Sequence, residues 1–360
     1  MSFVETNAAD TLRSAEELSR QAWEGIQRDP TAYRVLTGER PTGALHVGHY
    51  FGSLQRRVEL QSLGVPTWML IADYQALTDR NATAAIAQSV REIVLDYLAV
   101  GLDVLDEGLA FAHSTIPELN QLLLPFLSLV TVSEIDRNPT VKSEIEALGT
   151  GNVSGLMFNY PVHQAADILA CRGTVVPGGR DQLPHIEITR KIARRFNRIY
   201  SPEEPFFQEP TLLFGEVPLL LGVDGKKMGK SANNAIFISD SEDTTAKLIK
   251  RAVTDGDREL TFDPIARPGV SNLLLLAGCA AGRDPRSVAA EIGAGGSRAL
   301  KEFAIEAVND HFRDIRARRR EFAQDPEIVS TVLRRGRDIV RAEASSTIST
   351  VHRKMRLEYL

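Results

Sequence analysis

Apolar positions along the chain follow two rhythms. Short continuous apolar runs, "YRVLTG" (33–38), "PTWMLIADYQAL" (66–77), "GLAFAHSTI" (108–116) and "TVVPGG" (174–179), have the character of strands buried on both faces. Between and after them, residues from about 47 to 61, 84–102, 118–130, 158–172 and 181–197 repeat their apolar positions at helical spacing. Alternation of this kind predicts an α/β fold with a doubly wound parallel sheet and helices on both faces. Residues 1–30 read as a helical N-terminal extension. The polar, glycine-bearing stretch 133–155 reads as a short insertion between two half-domains. From about 240 onward the pattern is almost wholly helical, which puts a boundary near 235–245 and predicts three parts: 1–30, 31–240 and a helical C-terminal domain over 241–360.

Composition changes this picture little. With 360 residues, 43% hydrophobic and 25% charged, the chain can bury a core of ordinary size and is long enough for two domains. Cys171 and Cys279 lie far apart and offer neither a metal-binding spacing nor a disulfide framework, which fits a reducing compartment. The N-terminus lacks the apolar core of a signal peptide, and no run has the length of a membrane span, so a cytoplasmic protein with no membrane partner is expected. The net charge is −5, yet residues 301–360 carry +3, with arginines grouped in "RDIRARRR" (313–320), "LRRGRDIVR" (333–341) and "HRKMR" (352–356). Charge alone favours a solvated helix face for these groups.

Two stretches carry candidate chemistry. In "TGALHVGHYFGSL" (42–54), His46 and His49 straddle the start of a helix that follows the first strand. Ligands of open parallel sheets sit at such strand ends, and a helix start offers free N–H groups to phosphate. No further ligands lie at a suitable spacing for a metal, so none is assigned. The second stretch, "GVDGKKMGKSANNAI" (222–236), places Lys226, Lys227 and Lys230 on a glycine-rich loop that can close over a polyphosphate.

Together these stretches resemble the HIGH and KMSKS signatures of class I aminoacyl-tRNA synthetases, written here His46-Val47-Gly48-His49 and Lys227-Met228-Gly229-Lys230-Ser231. "NYPVHQAADIL", "VVPGGRDQLPHIEITRKIARRFN", "RAVTDGD" and "ARPGVSNLLLL" resemble, in order, blocks of the bacterial-type tryptophanyl-tRNA synthetase family over roughly residues 33–280. The resemblance implies a Rossmann-like catalytic domain and a helical tail on the anticodon side of tRNA, whose arginines meet phosphates. It implies ATP, with Mg2+ on its phosphates, L-tryptophan and tRNA(Trp) as substrates, and a homodimer. ATP would contact Arg40, Pro41, Thr42, Gly48 and His49 in the first turn, and its ribose would lie at Gly179, Arg180 and Asp181. Lys227, Met228, Gly229, Lys230 and Ser231 match the mobile loop, with His46, His49, Lys227 and Lys230 in the catalytic role. Lys142, in the insertion, matches a lysine near the phosphates. Tyr160, Gln164, Asp167 and Gln182 fall in the amino-acid pocket.

The residue types suit that chemistry. Tryptophan's carboxylate is ionised near neutral pH, so attack on the α-phosphorus needs no general base, only positioning and stabilisation of the departing pyrophosphate. Asp167 lies seven residues after Tyr160, on the same helix face. An indole N–H is only a donor, and a buried carboxylate is the acceptor that singles it out. His163 and Cys171 read as core and supporting positions. Two residues depart from the family pattern. Gly229 replaces the usual serine of the lysine loop, and Gln164, with Tyr160 and Asp167, matches the tyrosine-binding helix of the sister tyrosyl family. The downstream blocks favour tryptophan. A tyrosine enzyme ranks behind it, as do a regulatory paralogue without aminoacylation and a small nucleotidyltransferase.

Overall fold

The computed structural model describes residues 3–78, 83–148, 153–215, 217, 219–229 and 232–359. Five parallel strands, β1 Val35–Glu39, β2 Thr67–Ile71, β3 Leu109–Ala112, β4 Val175–Gly178 and β5 Thr211–Phe214, form one sheet in the order β3-β2-β1-β4-β5. Strand β5 lies in a stretch that the apolar pattern leaves unassigned. The chain winds outward from β1 to β3, then returns to the other side of β1 for β4 and β5, so the order reverses between β1 and β4. The register Val35↔Val175 brings the ends of these two strands out at one level. A crevice at such a reversal is where an open α/β sheet binds its ligand.

Alternation along the strands explains the double layer. Met69 and Ile71 of β2 join one apolar cluster, with Leu45, Val47, Ile93 and Leu273, whereas Trp68 and Leu70 join the other, with Ala166, Ile186 and Ile192. Both faces are therefore covered, and β2, β3 and β4 are buried throughout. The stretch read as an insertion contains two helices, Val132–Asp136 and Pro139–Leu148. Thr131 and Glu134 close the first in a reciprocal capping box.

The helical end of the chain shares the core of the sheet. Helix Gly296–Phe322 contributes Leu300, Ala304, Val308 and Phe312 to the cluster that holds Leu45 and Ile93. Helix Ile328–Met355 runs along β3, where Gly336 lies against the carbonyl oxygen of Ala110 so closely that a methyl group there would overlap it. Arg335 donates to the carbonyls of Gly108 and Asp106. At the opposite edge, helix Phe3–Arg28 packs Ala22 and Ile26 against Leu213, and the hydroxyl of Ser19 accepts the N–H of Phe214 at 3.0 Å.

The arginines of 313–320 divide between the surface, where Arg313, Arg318 and Arg320 are exposed, and the interior. Arg316 is buried, Arg318 donates to the carbonyl of Ala99, and Arg319 is paired with Glu92 and Asp96. Arg341 is likewise held by Glu118. Spacing along a helix cannot reveal partners more than 200 residues away.

Candidate active site

The turn after β1 leads into a helical start, Val47–His49, that its two histidines cap reciprocally. His46 Nδ1 accepts the N–H of His49 at 3.3 Å, and His49 Nδ1 accepts the N–H of His46 at 3.2 Å. Using Nδ1 as an acceptor leaves the proton of each neutral ring on Nε2. Both rings are thereby held as N–H donors, with centroids 3.7 Å apart. Arg40, Pro41 and Thr42 precede them in a tight turn in which the Thr42 N–H donates to the Arg40 carbonyl at 2.8 Å.

The lysine loop packs beside this turn. Met228 is buried in the same cluster as Leu45 and Val47, and its sulfur is a near neighbour of Gly48. Asn234 staples the loop: its amide donates to Asp224 Oδ1 and to the Lys227 carbonyl, and its oxygen accepts the Gly229 N–H at 3.0 Å. Lys227 is exposed. Lys230 and Ser231 lie outside the described residues. A side chain at Gly229 would meet only ordinary contact with Ala232, so the glycine there is not forced by crowding.

Beyond β4, Gly179 caps a short turn, Arg180–Gln182, that leads into helix Leu183–Tyr200. Gln182 donates to Asp181 Oδ2 at 3.1 Å and accepts from Gln164 at 3.3 Å, joining the ribose and amino-acid groups of the sequence reading into one chain. The hydroxyl of Thr140 donates to the Asp181 carbonyl at 3.0 Å, which ties the helix carrying Lys142 to the same turn. Arg180 is turned away to an exposed pair with Glu16 of the N-terminal helix.

Helix Gly155–Ala170, started by a Ser154 cap, presents Tyr160, His163, Gln164 and Asp167 on one face. The Tyr160 hydroxyl meets His185 Nε2 at 3.1 Å, and His185 Nδ1 accepts from the Asn138 amide at 3.3 Å. His163 accepts from Gln75 at 3.1 Å through Nδ1 and donates to Asn120 at 2.8 Å through Nε2. Burial holds His163 and His185 at a pKa of about 4, so both are neutral near pH 7. Asp167 is 2% exposed, and its Oδ1 lies 3.1 Å from Nε2 of His113, which is fully buried. The two atoms lack hydrogen-bond alignment, and among the described residues neither has another partner. Burial, with the charge of Asp73 adding, pushes the Asp167 carboxyl well above the usual carboxylate range. Burial, and then His163, pushes His113 well below the usual histidine range.

Among the described residues, His113, His163 and Asp167 are the one group whose ligand-type atoms come within 4.8 Å of one another. His163 spends both ring nitrogens on amides, which leaves two donor atoms, too few for a tetrahedral metal. His113, His185, Asn138 and Asn234 escape the sequence reading. Of these, Asn234 carries a legible signal, an amide residue in a glycine- and lysine-rich turn.

The model of the class I tRNA synthetases for tryptophan and tyrosine (W and Y) matches residues 29–313. A tryptophan–tRNA ligase of Clostridium longisporum is 40% identical over 333 residues, covering 90% of this chain and 97% of the relative. That of Treponema pallidum is 38% identical, with the same coverage. A tryptophanyl-tRNA synthetase of Campylobacter jejuni, solved in complex with ADP and tryptophan, superposes with a TM-score of 0.74 at 30% identity, over 89% of this chain and 99% of its own. The chain thus belongs to the class I tRNA synthetases and, within them, to the ATP-dependent tryptophan–tRNA ligases.

Proposed function

We propose that ATP lies across the His46–His49 turn and the Gly179–Gln182 turn, and that tryptophan is seated with its indole N–H on Asp167. The observation that carries this reading is Asp167 Oδ1, a buried acceptor without a hydrogen bond among the described residues, at the base of a helix face lined with polar groups. Burial without a donor costs about 1–3 kcal/mol, which an indole N–H offsets. Tyr160, Gln164 and Gln182 then meet the polar end of the amino acid. Its carboxylate attacks the α-phosphorus, and pyrophosphate leaves. The Nε2–H groups of His46 and His49, with Lys227, Lys230 and Lys142, stabilise charge on the phosphates, and Mg2+ accompanies them. Tryptophanyl-adenylate then transfers its acyl group to the 2′-hydroxyl of the terminal adenosine of tRNA(Trp).

Residues 31–240 are the catalytic domain in this reading, and 241–360 the side that meets the anticodon end of the tRNA. The exposed arginines Arg320, Arg353 and Arg356 are the supporting feature there. The exposed apolar side chains of Leu124 and Val132 support a homodimer. No helix among the described residues is long and apolar enough to cross a membrane, which suits a cytoplasmic enzyme.

Exchange of labelled pyrophosphate into ATP, with tryptophan and tyrosine supplied separately, tests the reading. Exchange with tryptophan alone is expected. Exchange with tyrosine alone would make Gln164 the better guide to the substrate, and silence with both from folded protein would favour a regulatory paralogue.

A further inference from the structure

The nucleotide turn is held from three directions. The N–H of Leu45 donates to Asp96 Oδ2 at 2.9 Å. The Leu45 carbonyl accepts the N–H of Ile238 at 3.0 Å, and the N–H of Val47 donates to the Ile236 carbonyl at 2.9 Å. His46 is thereby bridged antiparallel to Phe237, so the segment that follows the lysine loop is laced to the turn that carries the histidines. None of these supports stands alone. Asp96 is a fully buried carboxylate on helix Ile86–Val100, and Arg319 Nε donates to its Oδ1 at 2.6 Å while pairing with Glu92 as well. Arg316, 5% exposed, reaches the carbonyl of Ile238 with Nε at 3.4 Å and the hydroxyl of Thr245 with Nη2 at 2.8 Å. The two arginines stand three residues apart, on one face of helix Gly296–Phe322.

Each arginine therefore backs one side of the same short antiparallel contact. Arg319 backs the acceptor of the Leu45 N–H, and Arg316 backs the residue that donates to the Leu45 carbonyl. A buried carboxylate with its cation removed is an uncompensated charge, and its acceptor geometry relaxes with it. Burial pushes the Asp96 carboxyl above the usual carboxylate range, and the Arg319 guanidinium is the first group that opposes this. The family resemblance reads arginines of this stretch as tRNA contacts. These two face the opposite way.

We propose that Arg316 and Arg319 are positioning residues for amino-acid activation, fixing the His46–His49 turn and the root of the lysine loop from the helical end of the chain. Movement of helix Gly296–Phe322 is felt first at the groups that hold ATP, and only weakly in the tryptophan pocket, whose helix Gly155–Ala170 packs on the other face of the sheet. The inference rests on the reading of that turn as the ATP site.

The test is tryptophan-dependent pyrophosphate exchange with full-length Arg319→Gln, Asp96→Asn and the double variant, alongside their urea unfolding. Each single change is expected to raise the KM for ATP about ten-fold while moving the KM for tryptophan less than about two-fold. Asp96→Asn keeps an acceptor for the Leu45 N–H but leaves Arg319 with Glu92 as its one carboxylate partner among the described residues. In the double variant two neutral amides face each other, and the KM for ATP is expected to return to within about three-fold of the parent. Arg319→Lys keeps the charge, folds where the glutamine variant does not, and is expected to show the same split at smaller size. Equal changes in both KM values, or a fall in stability with ATP affinity untouched, would overturn the proposal. A wild-type chain without exchange would remove the ATP-site reading and this inference with it, whereas an active wild type with unsplit variants removes the inference alone.

Discussion

Asp167 Oδ1 and His113 Nε2 face each other across 3.1 Å, both buried, beneath the helix face that carries Tyr160 and Gln164. Two polar atoms without a bond at such depth are a store of unmet hydrogen bonding, and a donor arriving from the pocket gains from it. Replacing Asp167 by alanine removes the acceptor and leaves His113 Nε2 unmet. Discrimination of tryptophan over phenylalanine in activation is expected to fall about 10- to 100-fold. Unchanged discrimination in parallel exchange assays would remove Asp167 from the indole.

The reciprocal cap of His46 and His49 separates two roles in one side chain. His46→Asn retains an oxygen able to cap the Val47–His49 start but loses the Nε2–H. Turnover is expected to drop about 100-fold, the KM for tryptophan to hold, and the urea midpoint to stay near that of the parent. His46→Ala loses the cap as well, and about 1 kcal/mol of stability with it. A turnover unchanged in His46→Asn would leave His46 a structural cap.

Acid should loosen the protein well before its carboxylates are neutralised. His163 and His185 stay neutral in the fold down to about pH 4 because burial opposes their charge, while in the unfolded chain they take up protons near 6.5. Their contribution to stability is therefore complete above pH 6.5 and shrinks as pH falls toward 4. The loss is at most about 1.4 kcal/mol per pH unit for each ring. Urea unfolding at pH 7.0, 5.5 and 4.5, with His163→Gln as the comparison, checks this. The variant should show a shallower decline.

Gly336 sits where helix Ile328–Met355 meets β3, against the Ala110 carbonyl, with no room for a methyl group. Gly336→Ala forces helix and strand apart. The expected destabilisation is about 1–3 kcal/mol, against a change within about 0.5 kcal/mol for Gly229→Ser in the open loop. Paired denaturation curves of the two variants decide it.

Much of this molecule is legible in its sequence, for reasons that differ by element. Strands β2 to β4 announce themselves because both their faces are buried, and β1 because its first three residues are, which makes their apolar runs continuous. The His46 turn and the lysine loop are readable because glycines mark close approach and histidines and lysines mark phosphate. Strand β5, Thr211–Phe214, follows Pro210 directly and buries only Leu212 and Leu213 fully, so its apolar run is too short to stand out. The helix Val132–Asp136 hides inside a polar stretch, although its capping pair Thr131 and Glu134 was there to be read. Arg316, Arg319 and His113 could not be placed, because what decides their roles is a partner from another element.

The two ends of the chain serve the sheet as guards. Helix Phe3–Arg28 lies along β5, where Ser19 takes up the N–H of Phe214, and helix Ile328–Met355 lies along β3 at the far side. A parallel sheet left open at its margins offers rows of backbone groups on which a second chain can template itself. Here the segments that cover those margins are helices Phe3–Arg28 and Ile328–Met355, so removing either is expected to bare an edge strand to a second chain, which light scattering of the shortened protein checks.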